Sequence, residues 1–415
     1  MLLSNTLRNT SPLSSSRAGI TSLVYVLGGL LLGWGAWVTP PDAISTLRFA
    51  QLGQLAMGSQ WVFVGCGAVW MVTGLLGLMS PPASRLRASL LAMNMLGLVV
   101  VILVWTSMGR RLEVLGIFSQ SLRLATPIAF GALAGVLCER CGVINIAIEG
   151  MMLSAACLGF TVALYAQHTW IGVLAALLSG GAMAAFHAVL SIHWRVDQII
   201  SGTVINMLAV GLTGFIRRTV LLHNAREAPA VLPPWPVPGL SEIPVIGKLF
   251  FRHQPLVYVM FMLVFIVHVV LFYTRWGLRT RAVGEHPQAA DTVGIRVFAI
   301  RYRNVIAGGM IAGLGGAWFS LETVGNFEDL MTNGKGFIAL AAMIFGKWTP
   351  LGALGGALLF GFADALQIKL QIAGVKVPYQ FLSMTPYVVT MIVLAGVVGR
   401  ARPPAALGSP YEKHK

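Results

Sequence analysis

Charge is scarce in this chain. Asp, Glu, Lys and Arg together make up 10% of its 415 residues, against roughly 25% in an ordinary soluble domain. So few charges cannot cover a water-facing surface, which excludes a soluble enzyme and a disordered chain. Cysteine is scarce too: the four present do not make a secreted disulfide scaffold. Cys66 and Cys157 sit in apolar runs and read as core residues. Cys138-Glu139-Arg140-Cys141 is a lone CxxC with no second pair and no nearby histidine, a weak metal signal that reads as incidental. A phosphate-binding loop is missing. The nearest string, Gly346-Lys347, has no upstream glycine and is followed by Trp348, so any ATP-driven step needs another subunit. Acidic residues are the rarest charges, 14 against 29 Lys and Arg. The net charge of +15 fits the positive-inside bias of membrane proteins. Nucleic-acid binding would need clustered basic and aromatic residues on a soluble module, and none is visible.

Apolar residues fill the space instead. They form 56% of the chain, and the mean hydropathy is +0.78. The fold expected is an all-α polytopic membrane protein with about 11–12 membrane segments, some of them interrupted or half helices. Runs of span length lie near 19–38, 60–79, 88–105, 122–138, 145–165, 171–192, 199–216, 255–274, 303–323, 352–371 and 384–399. The first is too long for a usual signal peptide and reads as an uncleaved helix. Phe337–Gly346 is about half a span, either a crossing or a re-entrant segment. Loop charges favour both termini in the cytoplasm, because the arginine-dense loop 275–303 and the basic tail then agree; Arg110 and Arg111 do not. The proline-rich loop 217–254 then lies outside, as an ordered cap, a docking loop or a passive connection.

Polar residues inside apolar runs are the candidates for a path. Gly142 and Gly150 bracket a short piece carrying Asn145 and Glu149, which on a helix would share a face. A charge at mid-bilayer costs roughly 2.5–3.5 kcal/mol on insertion scales. Glu149 therefore either lines a wet path in a broken helix or pins its helix by hydrogen bonds to neighbours. A second interrupted stretch, Asn333–Gly352, lies in the other half of the chain. Asn206 faces either the path or a neighbouring helix, and Asp197 reads as an N-cap. Asp364 begins a polar stripe with Gln367 and Gln371, at a vestibule or between helices. Glu322, near the end of its run, reads as hydrated. His187 and His268 read as packed neutral imidazoles. Gly309/Gly313 and Gly352/Gly356 fit close helix packing.

Loop 275–303 has its own helix grammar. Pro287 suits a first turn and Gly294 a C-terminal stop. Small Ala289 and Ala290 would let a partner surface come close. Gln288-Ala289-Ala290, then three residues and Gly294, resembles the EAA loop of ABC-importer permeases, with Gln in place of the usual Glu. GVINIAIEGMM (142–152), VDQIISGTVINMLAVGLT (196–213), the stretch 280–295, GFIALAAMIFGKWTPLGA (336–353) and RPPAALGSPYEK (402–413) are similar to the branched-chain amino acid/ribose-type permease family. Within it they look most like permeases of nucleoside and simple-sugar importers served by basic-membrane-type lipoproteins. The likeness covers about residues 121–413. It implies a core over 119–415 preceded by a membrane extension of about three helices over 1–118.

The resemblance further implies a bacterial cytoplasmic (inner) membrane protein working with a second permease subunit. Cytoplasmic ATP-binding subunits would hold the ATP, leaving this chain with no cofactor. They would drive alternating access through a coupling helix containing Gly284, Glu285, Pro287, Gln288, Ala289, Ala290, Asp291 and Gly294. An extracytoplasmic lipoprotein would deliver substrate, and the chain would do no bond chemistry. Asn145, Glu149, Asn206, Glu322 and Asp364 are the expected path residues. Nucleosides are the first expectation for substrate, with simple sugars or branched-chain amino acids as the alternative. The rival readings are a proton-coupled carrier using Glu149 or Asp364, and an anchor or sensor that transports nothing.

Overall fold

Inside lipid only a helix or a closed barrel satisfies its own backbone N–H and C=O groups, so long apolar runs become helices. The computed structural model describes residues 12–48, 53–79, 84–108, 111–224, 226–372, 402–412 and positions 380 and 384. Among them, nine helices are long and apolar enough to cross a membrane, and the strands form two small sheets. The chain is an all-α polytopic membrane protein. It divides into two compact units, Met1–Ile117 with Ile368–Gly399, and Phe118–Gln367 with Arg400–Lys415.

The first unit contains α1 (Pro12–Val38), α2 (Ser59–Met79) and α3 (Ser84–Thr106). Strand β1 (Ile44–Arg48) pairs antiparallel with β2 (Gln54–Gly58) and parallel with β3 (Arg111–Glu113). Polar side chains link α2 to α3. Trp70 Nε1 donates to Asn94 O at 3.1 Å, and Asn94 Nδ2 to Thr73 Oγ1 at 3.0 Å. Such bonds hold helices together where apolar burial cannot discriminate them from lipid. The expected run 384–399 lies outside the described residues apart from Met384.

The second unit is built from α4 (Val114–Arg140), α5 (Ile148–Ala166), α6 (Thr169–Ala188), α7 (Gln198–Ile216), the short α8 (Ile246–Phe250), α9 (Pro255–Tyr273), α10 (Arg275–Glu285), α11 (Pro287–Thr292), α12 (Val297–Ala317), α13 (Lys335–Phe345) and α14 (Pro350–Ile372). Helices α6, α7 and α12 run on into π-helical turns at Val189–His193, Arg217–Leu221 and Trp318–Val324. The core lies along α4, α5 and α12, where Phe130, Met151, Met152 and Ala312 are fully buried. A Cβ on Gly180 of α6 would lie 2.2 Å from Gly309 O, and one on Gly313 2.4 Å from Ala176 O. The Gly309/Gly313 pair therefore serves backbone-to-backbone packing, as its spacing suggested.

The run expected at 303–323 begins earlier, at Val297. The sequence places Arg301 in a loop because it is charged, yet it is 1% exposed on α12. Helix α13 has 11 residues, a rise of about 16 Å, about half the ~30 Å hydrocarbon core. It turns back through Gly346–Thr349 and packs antiparallel on α14, where a Cβ on Gly356 would sit 2.7 Å from Ala342 O. It is a half helix in a hairpin and does not cross by itself.

Helix α9 separates two ends of this unit. At one end, the proline-rich segment is ordered over the ends of α5, α6 and α12. Thr169 Oγ1 donates to Ala230 O (2.7 Å), Leu232 N to Leu321 O (3.0 Å), and the Arg226 guanidinium lies 4.7 Å from the Tyr165 ring centre. At the other end are α10, α11 and the tail.

Candidate functional site

The bundle is interrupted at two places, and the structure brings them together. Residues 142–147 are not helical, and α5 starts only at Ile148. Its first turn carries Glu149. The opposing interruption, 325–334, ends where α13 begins. A helix N-terminus exposes N–H groups with no intrahelical acceptor and a positive dipole end. Glu149 fills that role: Oε1 accepts from Thr332 Oγ1 (2.6 Å) and Gly334 N (2.8 Å), and Oε2 from Gly336 N (2.6 Å). Gly336 is required here, because a Cβ would lie 2.6 Å from Glu149 Cα and N. Of the two readings of Glu149, the geometry matches pinning. Beside it, Lys335 Nζ contacts Asp364 Oδ2 of α14 at 2.5 Å.

Asn206 on α7 clasps the start of α5. Its Oδ1 accepts from Gly150 N (2.7 Å) and its Nδ2 donates to Ile146 O (3.0 Å). Glu149, Asn206 and Asp364 thus gather around the two breaks, joined by Thr332 and Lys335, which sequence reasoning passed over. A lysine beside two glycines at the start of an apolar half-span was the available signal.

Two expected path residues stand apart. Asn145 does not share a helical face with Glu149, because the chain is irregular there. It is fully buried, its Oδ1 accepts from Ala147 N (3.1 Å), and its Nδ2 contacts Cys138 Sγ (3.3 Å). Glu322 is not hydrated: it is 1% exposed, and its Oε2 accepts from Leu256 N at 2.8 Å, at the first turn of α9. A π-helical turn carries it inward, which a regular 3.6-residue period does not anticipate. His187 is packed as expected, with Nε2 donating to Ile144 O (3.0 Å) and Nδ1 facing Ser201 Oγ (3.1 Å). Asp197 is the N-cap of α7, accepting from Ile199 N and Ile200 N.

At the far end of α9, helices α10 and α11 form a compact pair. Thr274 Oγ1 caps α10 by accepting from Gly277 N (3.3 Å), and His286 Nδ1 caps α11 by accepting from Ala289 N (3.2 Å). Pro287 occupies the first turn. Gly294 has φ +81 with open space around it, so the position needs a left-handed backbone rather than room. Its N–H bonds to Asp291 O (2.9 Å), and Ile295 N to Ala290 O (3.0 Å). Gln288, Ala289, Thr292 and Val293 face outward. Ala290 does not: it is 4% exposed and packs into this chain, so of the two alanines only Ala289 is open to a partner. Gly284 lies against α4, where a Cβ would meet Arg140 O at 2.2 Å. Arg140 and Arg281 both stack near the Phe272 ring, at 5.7 and 5.1 Å.

The CxxC closes α4. Both thiols are buried, and Cys141 Sγ donates to Cys138 O (3.0 Å). Burial pushes the Cys141 thiol up to about 12, against the opposing effect of Arg301, so it stays a protonated packing residue.

Interrupted helices around buried polar groups, with a capped helix pair beyond the spans, define a multi-pass membrane transport component. The chain belongs to the branched-chain amino acid transport system / permease component family, whose model matches residues 117–398. It is 42% identical to a guanosine ABC transporter permease protein of Bacillus subtilis, NupQ, over 72% of this chain and 97% of that one. It is 41% identical to a nucleoside ABC transporter permease protein of Lactococcus lactis, again over 72% and 97%. A putative glucose ABC transporter permease protein of Haloferax volcanii is 35% identical, over 72% and 98%. No solved structure matches the chain.

Proposed function

We propose that the chain is the permease subunit of an ATP-driven importer for nucleosides. The observation that carries this reading is the identity above 40% to two nucleoside permeases along 97% of their length. Separate cytoplasmic ATP-binding subunits dock on the outward face of α11 and drive alternating access. A second permease subunit completes the pathway, and an extracytoplasmic lipoprotein delivers substrate to the end capped by the proline-rich segment. The membrane is the bacterial cytoplasmic membrane, with both termini inside. The tail supports this orientation, because it lies at the same end as α10 and α11. Residues 1–118 form a membrane extension outside the transport core. Glu149, Asn206 and Asp364 hold the two breaks in register beside the path. A simple sugar is the second reading, favoured by the 35% identity to the glucose permease. Uptake by the assembled complex from a panel of labelled nucleosides, sugars and amino acids tests the substrate. Guanosine or another nucleoside should be taken up in preference, and transport of glucose alone would overturn the nucleoside assignment.

A further inference from the structure

The tail, residues 402–412, is a feature that the transport reading leaves unused. It does not trail into solvent. Ala406 N donates to Gly284 O (2.9 Å) and Ala405 N to Glu285 Oε2 (3.2 Å), both at the end of α10. Two residues on, Gly408 N donates to Gly142 O (3.1 Å), at the mouth of the interrupted segment. Arg301 Nη1 on α12 donates to Ser409 O (3.1 Å). Tyr411 is 3% exposed; its ring packs edge-on to Phe298 at 5.3 Å, and its hydroxyl lies beside the Asp291 side chain of α11. Glu412 pairs with Arg195, just before α7. Eleven residues therefore tie together α10, α11, α12, the 142 turn and the approach to α7.

Arg301 is the least satisfied group in this contact. It is 1% exposed, yet its Nε and Nη2 have no acceptor among the described residues. A buried guanidinium with unmet donors is poorly satisfied while the tail is seated and would gain water if the tail lifted. Transmission between sites requires an element with two arrangements, and an anchor with unmet donors lowers the cost of a second one. We propose that the tail is a strap that carries movement of α11 to the 142–149 segment and so to Glu149 and α13, with Arg301 as its buried anchor and Tyr411 as its link to α11. Tyr411 and Arg301 are positioning residues in this scheme. The inference rests on the reading of α11 as the ATPase docking helix.

The test uses the full complex in proteoliposomes with guanosine as the probe. The variants are deletion of residues 402–415, Tyr411→Ala, Tyr411→Phe and Arg301→Met. Three quantities are read: ATP-binding subunit retained, ATP hydrolysed, and guanosine taken up per ATP. We expect the subunit to stay bound while uptake per ATP falls about tenfold or more, the usual size of a coupling between sites. Tyr411→Phe, which keeps the ring against Phe298, should fall less than Tyr411→Ala. Unchanged uptake per ATP overturns the strap. Loss of the ATP-binding subunit from the tail variants overturns it too, because the tail would then be part of the docking surface. Should the deletion fail to insert, Tyr411→Ala decides, since it changes one side chain beyond the spans. A separate variant, Val293→Asp on the exposed face of α11, tests the docking reading. If it keeps the ATP-binding subunit at full occupancy, that reading fails whatever the tail does.

Discussion

At the scale of single residues, the strongest polar commitment is Glu149. Three donors converge on its carboxylate, and a glutamine offers one acceptor oxygen and turns an N–H₂ toward donors. Hydrogen bonds to a charged group are worth about 1.5–3 kcal/mol. Glu149→Gln should therefore lower the Tm of the detergent-purified protein by several degrees and reduce uptake; an unaltered Tm would show that the carboxylate is not the cap of α13. His253 is a second residue with a directional consequence. It is 1% exposed, its Nε2 donates to Leu249 O (2.7 Å), and its Nδ1 has no partner among the described residues. Burial, with a further push from Arg123, holds its pKa below the ordinary value, against the Leu249 bond. The unfolded segment then binds the proton more readily than the folded one, so stability is lost as pH falls through about 6.5. Protection factors for amide exchange at residues 249–258, corrected for the intrinsic pH dependence, should fall below pH 6 in the native protein and not in His253→Asn.

Sequence reasoning found Glu149, Asn206 and Asp364 because a polar side chain in an apolar run needs a partner. It could not say which partner. It expected Asn145 to share a helix face with Glu149, where the backbone is irregular, and expected Glu322 to be hydrated, where a π-helical turn buries it.

Elements come next. Helix α11 has only six residues, too short to be stable alone, so its caps decide whether it exists. Gly294→Ala should cost about 1–2 kcal/mol for the left-handed conformation. Gly294→Pro is worse, because its φ is fixed near −65° and it loses the N–H that bonds Asp291 O. We expect substrate-stimulated ATP hydrolysis to fall modestly in the first and strongly in the second, with membrane insertion equal in both. Equal hydrolysis in Gly294→Pro and the native chain would remove α11 from the coupling scheme. Asn206 acts at the same scale, as the clasp between α7 and the start of α5. Asn206→Leu strips acceptors and donors from Gly150 N and Ile146 O, and transport should drop while the ATP-binding subunit stays attached; a native transport rate would leave Asn206 as packing only. The caps of α11 were legible in the sequence because Pro and Gly act through their own backbone. The burial of Ala290 was not, since a six-residue helix has no periodicity from which to choose a face.

For the whole molecule, the question is where the driving force enters. Membrane carboxylates suggested a proton-coupled carrier. In the folded chain Glu149 accepts from Thr332 and two backbone N–H groups and Asp364 pairs with Lys335, so both carboxylates already have partners within the fold. Vesicles holding the complex should take up guanosine when given ATP, and an uncoupler should leave the rate within about twofold. Abolition of uptake by the uncoupler with ATP present would return the carrier reading.

Composition and run length alone determined that this chain lives in a bilayer as a bundle of helices, because lipid admits few other ways to satisfy a backbone. Glycine, proline and capping residues marked the two breaks and the short α11, since each acts locally. Only the tertiary structure decided that Glu149 closes the start of α13, that Arg301 lies buried, and that the last described residues lie across α10, α11 and the 142 turn. Those contacts join positions more than a hundred residues apart, and no local periodicity encodes which distant backbone group a given side chain will meet.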